Sequence, residues 1–257
     1  MMIEKIIEVS KIAGEVIREG YRSGFGIEFK TNESNLVTEI DKKAEAKIID
    51  YIHKNFPGHS VLAEESGSEK NNSEFLWVID PIDGTTNFAH GLPIFSVSIG
   101  VQRVGQTVAG VVYDVMRDVA YAAELGNGAF ANERKMLVSN TERLERSLLV
   151  TGFPYHVSEN PNLVKQRFVH MLDHSRGIRR LGSAAIDFAY VADGIFDGFW
   201  EVSLHPWDLC AGKLLVEEAG GKVTNFRGES ISIYSEEILA SNGLIHTKLC
   251  DELMSVK

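Results

Sequence analysis

Trp77-Val78-Ile79-Asp80-Pro81-Ile82-Asp83-Gly84-Thr85-Thr86-Asn87-Phe88 places two carboxylates, a proline, a glycine and two hydroxyls at the end of one apolar run. Phe75 to Ile79 is apolar, short and bounded by turn residues, which predicts a buried strand. Pro81 fixes its own φ and biases Asp80 toward an extended backbone. Asp83-Gly84 is a turn pair, so a turn is expected to bring Asp80 and Asp83 to one side, with the Ile82 carbonyl between them. Gly84 permits close backbone approach by a ligand. Thr85, Thr86 and Asn87 are placed to open a short helical turn whose N–H groups face an anion. Hard oxygen ligands on one side and amide donors on the other suit Mg²⁺ beside a phosphate ester. For Asp-x-x-Asp-Gly alone, a β-turn capped by two aspartates is the simpler reading; the full run is far more specific.

Outward from this stretch, Ile3, Ile6, Ile7, Ala13, Val16 and Ile17 recur at helical spacing and predict a helix over residues 2–20. Residues 20–38 read as polar and mobile. A second helix is expected over 38–56, closed by Pro57-Gly58, then a short strand over 60–63 delivering Glu64 and Glu65, then a solvated loop over 67–73. Runs rich in β-branched residues at 94–101, 107–115 and 119–123, with a further hairpin over 126–137, predict an antiparallel sheet. From about residue 141 strands and helices alternate, which favours an α/β arrangement. The chain is therefore read as an α+β half, residues 1–142, with most of the acids, and an α/β half, residues 143–257, supplying Asp208.

The chain has 257 residues and 44% hydrophobic content, enough for a substantial core. A net charge of −10 argues against a nucleic acid polymer or an anionic membrane as the main ligand, although bound cations can reverse the local field. Cys210 and Cys250 do not make a disulfide framework or a zinc motif, so free thiols and a cytoplasmic location are expected. No uninterrupted apolar run approaches the ~18 residues that span a bilayer.

Acids at the ends of short elements come from three separate places: Glu64-Glu65, Asp80 with Asp83, and Asp208. Brought together without metal they would repel and raise one another's pKa values; bound Mg²⁺ would turn them into a cage. Glu64-Glu65-Ser66, the run from Trp77 to Phe88, and Trp207-Asp208-Leu209-Cys210-Ala211-Gly212 resemble, in order and separation, the signature blocks of the inositol monophosphatase family. The resemblance covers essentially the whole chain.

It implies a layered αβαβα sandwich, Mg²⁺-dependent and lithium-sensitive hydrolysis of a phosphate monoester by metal-activated water, and a homodimer. It implies two to three Mg²⁺ ions, with Glu64, Asp80, the Ile82 carbonyl, Asp83 and Asp208 as ligands. Thr85 matches the hydroxyl that positions the attacking water, and Asp41 matches the acid that hydrogen-bonds that threonine. Glu65 and Lys30 match residues beside a weaker third ion. Gly84 and Thr85 match the backbone donors to phosphate. Gly182, Ser183 and Glu201 match contacts to the polyol ring, although Gly182-Ser183 is also a good helix start and Glu201 an ordinary strand acid. His205 and Cys210 read as structural; Arg179-Arg180 read equally as a second phosphate site or a subunit contact.

The implied activity is hydrolysis of myo-inositol 1-phosphate. The alternatives are another small phosphorylated substrate on the same fold, such as fructose 1,6-bisphosphate, or a regulatory binding protein that has kept the fold.

Overall fold

The computed structural model describes residues 2–24, 26–29 and 36–257. Helix α1 (Met2–Gly20) buries Ile6, Val9, Ala13 and Ile17 along one face. Strands β1 (Ile27–Phe29) and β2 (Leu36–Thr38) pair antiparallel within the segment expected to be mobile. Three-residue strands are too short to reveal themselves by alternation. Helix α2 (Glu39–Asn55) starts from Thr38, whose hydroxyl accepts from the Ile40 and Asp41 N–H groups while Asp41 accepts from the Thr38 N–H.

Strands β3 (Ser60–Ala63), β4 (Gly67–Glu69) and β5 (Phe75–Asp83) follow, then the short helix α3 (Thr85–Ala89). β4 is an exposed strand where a loop was expected. β6 (Ser96–Arg103), β7 (Gln106–Asp114), β8 (Val119–Glu124), β9 (Gly128–Ala131) and β10 (Arg134–Lys135) form a meander. The remainder runs β11 (Leu148–Thr151), α4 (Val164–His174), β12 (Gly177–Arg179), α5 (Ala184–Ala192), β13 (Gly198–Val202), α6 (Pro206–Glu218), β14 (Lys222–Thr224), β15 (Glu237–Ser241) and α7 (His246–Ser255).

The eight-stranded sheet has the order β10-β9-β8-β7-β6-β5-β3-β4, and the five-stranded sheet the order β12-β11-β13-β15-β14. The larger sheet is antiparallel except where β3 runs parallel to β5. The smaller one is parallel at β12-β11-β13 and antiparallel beyond.

Five layers result. Ile17, Ile48 and Ile52 of the first two helices pack on Trp77, Ile99 and Tyr113 of the larger sheet. Phe188 of α5 and Leu209 and Leu214 of α6 fill the space between Val112 on one sheet and Phe199 and Ala240 on the other. Met171 of α4 and Leu249 and Leu253 of α7 cover the far face through Leu149, Trp200 and Leu239. The architecture is the αβαβα sandwich.

Two glycines bring the middle layer close to the larger sheet. Gly100 and Gly110 are register partners on β6 and β7. A Cβ on Gly100 would lie 2.4 Å from Cys210 Sγ, and one on Gly110 would lie 2.8 Å from Ala211 Cα. Helix α6 rests in the notch they leave. Burial pushes the Cys210 thiol up to about 12, consistent with an inert core residue.

His246 opens α7 and is buried between Thr224 Oγ1, 2.8 Å from Nε2, and Ser241 Oγ, 2.8 Å from Nδ1. Burial, with Lys222 adding a smaller push, lowers its pKa to about 4. Between pH 6.5 and about 4 the unfolded chain therefore holds a proton that the folded chain does not. This contribution to stability is complete above pH 6.5 and is lost as pH falls through that window; it amounts to about 2–3 kcal/mol. Melting curves of wild type and His246→Gln across this range are expected to converge toward pH 4. A constant separation would show that folding does not lower the His246 pKa.

Candidate active site

β5 does not end at Asp80. It continues through Pro81 to Asp83, and the expected turn is replaced by a bulge. Asp80 pairs with Ser98 and Asp83 with Ser96, so three steps along β5 face two along β6. In a regular strand, residues three apart point to opposite faces. The extra residue restores the same face for both aspartates. Pro81 lacks an N–H to give the ladder, and a bulge is where a strand interior accepts one.

Asp80, Asp83 and Asp208 each offer a carboxylate oxygen, all within 4.8 Å of one another. Glu64 lines the same cleft, a cavity of about 540 Å³. Its N–H donates to the Ile79 carbonyl, which fixes the end of β3 beside β5. The Glu45 carboxylate of α2 accepts from the Glu65 and Ser66 N–H groups at 2.9 and 2.8 Å and clamps that turn from behind. Glu45 had no signal in sequence beyond an acid on a helix.

Asp208 sits in the first turn of α6, where its Oδ2 accepts from the His205 N–H at 2.6 Å. Ser98 Oγ donates to the Trp207 carbonyl at 3.0 Å and ties the start of this helix to the sheet. His205 stacks on Trp207, with 5.0 Å between ring centroids and 3° between planes.

The acids are strongly perturbed. Burial first, then Glu64, Asp83 and Asp208, pushes the Asp80 carboxyl well above the usual range. Asp80 Oδ1 is buried without a hydrogen-bond partner. Burial and Asp208 raise Asp83 to about 7, although Ser183 Oγ and the Ala184 and Ala185 N–H groups all donate to it. Such a cluster is unstable as bare anions, and its donors are all oxygen. It fits a hard divalent cation, with the orphaned Asp80 Oδ1 as a waiting ligand atom.

Thr85 Oγ1 lies 3.1 Å from Asp41 Oδ1 and 3.0 Å from the Ile82 carbonyl, so its single proton has an acceptor on either side. Asp41 is thus shared between the α2 cap and Thr85. Burial raises it to about 6, with Glu65 nearby adding to the rise. Gly84 adopts φ +100°, and a Cβ there would meet the Ile94 and Gly182 carbonyls at 3.1 and 3.2 Å. Lys30 lies outside the described residues.

Gly182 and Ser183 border the cleft. Ser183 caps α5 and its hydroxyl is committed to Asp83, which places it behind a carboxylate. The Asn87 amide bridges the Ile94 and Leu181 carbonyls at 2.8 Å each and holds α3 against this segment.

Glu201 is buried, with its carboxyl raised well above the usual range by burial, Asp208 and Asp83. Asp187, one turn into α5, was not singled out from sequence. It is also buried, raised by burial and by Glu201, and its Oδ1 has no partner. Arg180 borders the cleft and acts against both shifts. The available sequence signal was the spacing of Asp187 from the Ser183 cap, which alone marks only a helix first turn.

The sequence model of the inositol monophosphatase family matches residues 2–257. The chain belongs to the inositol monophosphatase family. Members of this family are metal-dependent phosphatases of small phosphorylated substrates. The chain is 41% identical over 259 residues to phosphatase IMPL1, chloroplastic, of Arabidopsis thaliana, covering 98% of this chain and 70% of that protein. It is 41% identical over 243 residues to Nus factor SuhB of Escherichia coli K12, covering 94% and 91%. The structure of inositol monophosphatase from Anabaena (Nostoc) sp. PCC 7120 superposes with a TM-score of 0.88 at 41% identity, covering 100% of this chain and 96% of that one. Among the described residues, no helix is long and apolar enough to cross a membrane.

Proposed function

We propose that this inositol monophosphatase family member hydrolyses inositol monophosphates, with myo-inositol 1-phosphate as substrate, to inositol and inorganic phosphate. The observation that carries the reading is the convergence of Asp80, Asp83 and Asp208 in one polar cleft with Glu64. Glu64, Asp80, the Ile82 carbonyl, Asp83 and Asp208 would hold Mg²⁺, with Glu65 beside a further ion. Bound Mg²⁺ supplies a nucleophilic water at neutral pH and neutralises charge on the phosphoryl and leaving oxygens.

The remaining work falls to the chain's own groups. Thr85 donates its proton to Asp41 or to the Ile82 carbonyl, which leaves its lone pairs to accept from water and orient it. The backbone N–H groups of Gly84 and Thr85 receive phosphate oxygens. Glu201 and Asp187, both biased toward the protonated form, pair with polyol hydroxyls, and Arg180 lies beside them. Attack is in line through a loose transition state, so position and charge matter more than any protein nucleophile.

Thr85→Ala is expected to lower kcat roughly 10²-fold with KM within about twofold, since placing water acts on the transition state. A change confined to KM would remove Thr85 from that role.

The substrate is tested by comparing kcat/KM for myo-inositol 1-phosphate and fructose 1,6-bisphosphate in Mg²⁺. The reading requires preference for the monophosphate; strong preference for the bisphosphate would replace it. The same reading carries Li⁺ inhibition, a homodimer and a cytoplasmic setting, the dimer being open to sedimentation analysis. The likeness to a Nus factor supports a second, non-catalytic role for this fold. That role leaves the acid cluster unexplained, so catalysis leads. A metal-replete preparation inert on a panel of sugar and nucleotide phosphates would reverse the order.

A further inference from the structure

The outer helices carry a second group of convergent ligands, apart from the acid cleft. His170 and His174 are one turn apart on α4, which puts both imidazoles on one face. Their rings stack with 4.1 Å between centroids and 24° between planes. Glu252 of α7 meets both: its Oε2 lies 2.7 Å from His170 Nε2 and 3.7 Å from His174 Nε2. One ligand atom from each of the three residues falls within 4.8 Å of the other two.

The direction of the nitrogens adds a separate argument. His174 Nδ1 is 2.7 Å from the His170 carbonyl oxygen, a contact that requires the proton on Nδ1. In the neutral ring the Nε2 lone pair then faces a carboxylate oxygen. Two electron-rich atoms in that arrangement repel unless a proton or a metal cation lies between them. Holding the remote N–H on a backbone carbonyl is also how metal-ligating histidines are oriented. Lys248 Nζ pairs with the other carboxylate oxygen, Glu252 Oε1, at 2.6 Å, which leaves Oε2 as the ligand atom.

Tetrahedral Zn²⁺ sits roughly 2.0–2.1 Å from nitrogen and oxygen ligands, which spaces those atoms about 3.3 Å apart. The observed 2.7 and 3.7 Å bracket that spacing. Two imidazoles and one carboxylate favour Zn²⁺ over the hard Mg²⁺. The half-exposed His174 leaves a fourth position on the solvent side.

We propose that His170, His174 and Glu252 form a Zn²⁺ site that clamps the last helix, α7, to α4. Arg167 Nε donates to the Leu253 carbonyl at 3.0 Å and ties the same two helices nearby. The chain just before α4 lines the acid cleft through Gly152, Phe153 and Tyr155, so the clamp also anchors the base of that wall.

The test is equilibrium dialysis against Zn²⁺ in saturating Mg²⁺, which covers the acid cleft, on wild type, His170→Gln/His174→Gln, Glu252→Gln and Asp83→Asn, each checked by circular dichroism. Wild type and Asp83→Asn are expected to retain one Zn²⁺ equivalent that the double histidine variant loses. Glu252→Gln is expected to weaken it at least about tenfold. Zn²⁺ is expected to raise the melting temperature of wild type and not of the double variant. Equal Zn²⁺ stoichiometry in wild type and the double variant would reduce the three residues to a surface ion-pair ladder and overturn the proposal. Loss of zinc in Asp83→Asn alone would assign the ion to the acid cleft and overturn it equally.

Discussion

Asp83→Asn is expected to lower kcat/KM for a phosphate monoester on the order of 10³-fold, about 4 kcal/mol of lost transition-state stabilisation. Asp83 lies between two jobs. One face meets Asp80 and Asp208, and the other accepts from Ser183 Oγ and the Ala184 and Ala185 N–H groups at the start of α5. An asparagine oxygen keeps the Ala185 bond but sets an NH₂ against the Ala184 N–H. The same change removes a charge that burial and Asp208 disfavour so strongly that the carboxyl titrates near 7. These effects oppose, so the metal-free stability is expected to change by less than about 2 kcal/mol. The Mg²⁺-induced rise in melting temperature is expected to shrink sharply. Kinetics across a Mg²⁺ titration, paired with melts in chelator, check both halves. Undiminished activity would take Asp83 out of the cation site.

Gly110→Val is expected to destabilise the protein by about 3 kcal/mol, a fall in melting temperature of roughly 6–12 °C. The new side chain would enter the notch that receives α6, where even a Cβ stands 2.8 Å from Ala211 Cα. Backbone cannot rotate aside as a side chain would. Helix α6 must lift, and Asp208 in its first turn must lift with it. Activity is therefore expected to fall further than the loss of folded protein accounts for. Gln106→Ala, at the exposed start of the same strand, is the control and is expected to be near neutral. Thermal melts and kinetics on the two variants separate packing from strand propensity. Wild-type melting of the Gly110→Val variant would mean that α6 does not rest on this notch.

The periodic apolar residues of α1, the β-branched runs of the meander and the glycine and proline punctuation made most elements readable before their contacts were known. Local pattern carries that much because each such element buries a face of its own. The bulge in β5 was not readable. Its cause is the pairing of Asp80 with Ser98 and of Asp83 with Ser96 on either side of Pro81, and a turn satisfied the same residues equally well. β1, β2 and β12 escaped because three residues show no period. The Asp80, Asp83 and Asp208 grouping was legible because residue type, spacing and the resemblance agreed. Glu45 and Asp187 were not, because a buried acid on a helix becomes meaningful only when its tertiary partners are known. Ser183 shows the converse: its capping role was legible, but the carboxylate it would hold was a hundred residues away.

The most direct measurement is anomalous diffraction from crystals soaked in Mn²⁺, a stand-in for Mg²⁺, together with inorganic phosphate. Peaks are expected between Glu64, Asp80, Asp83 and Asp208, with the phosphate against Gly84 and Thr85. Manganese bound only elsewhere, with that cleft holding no ion at saturating concentration, would contradict the account.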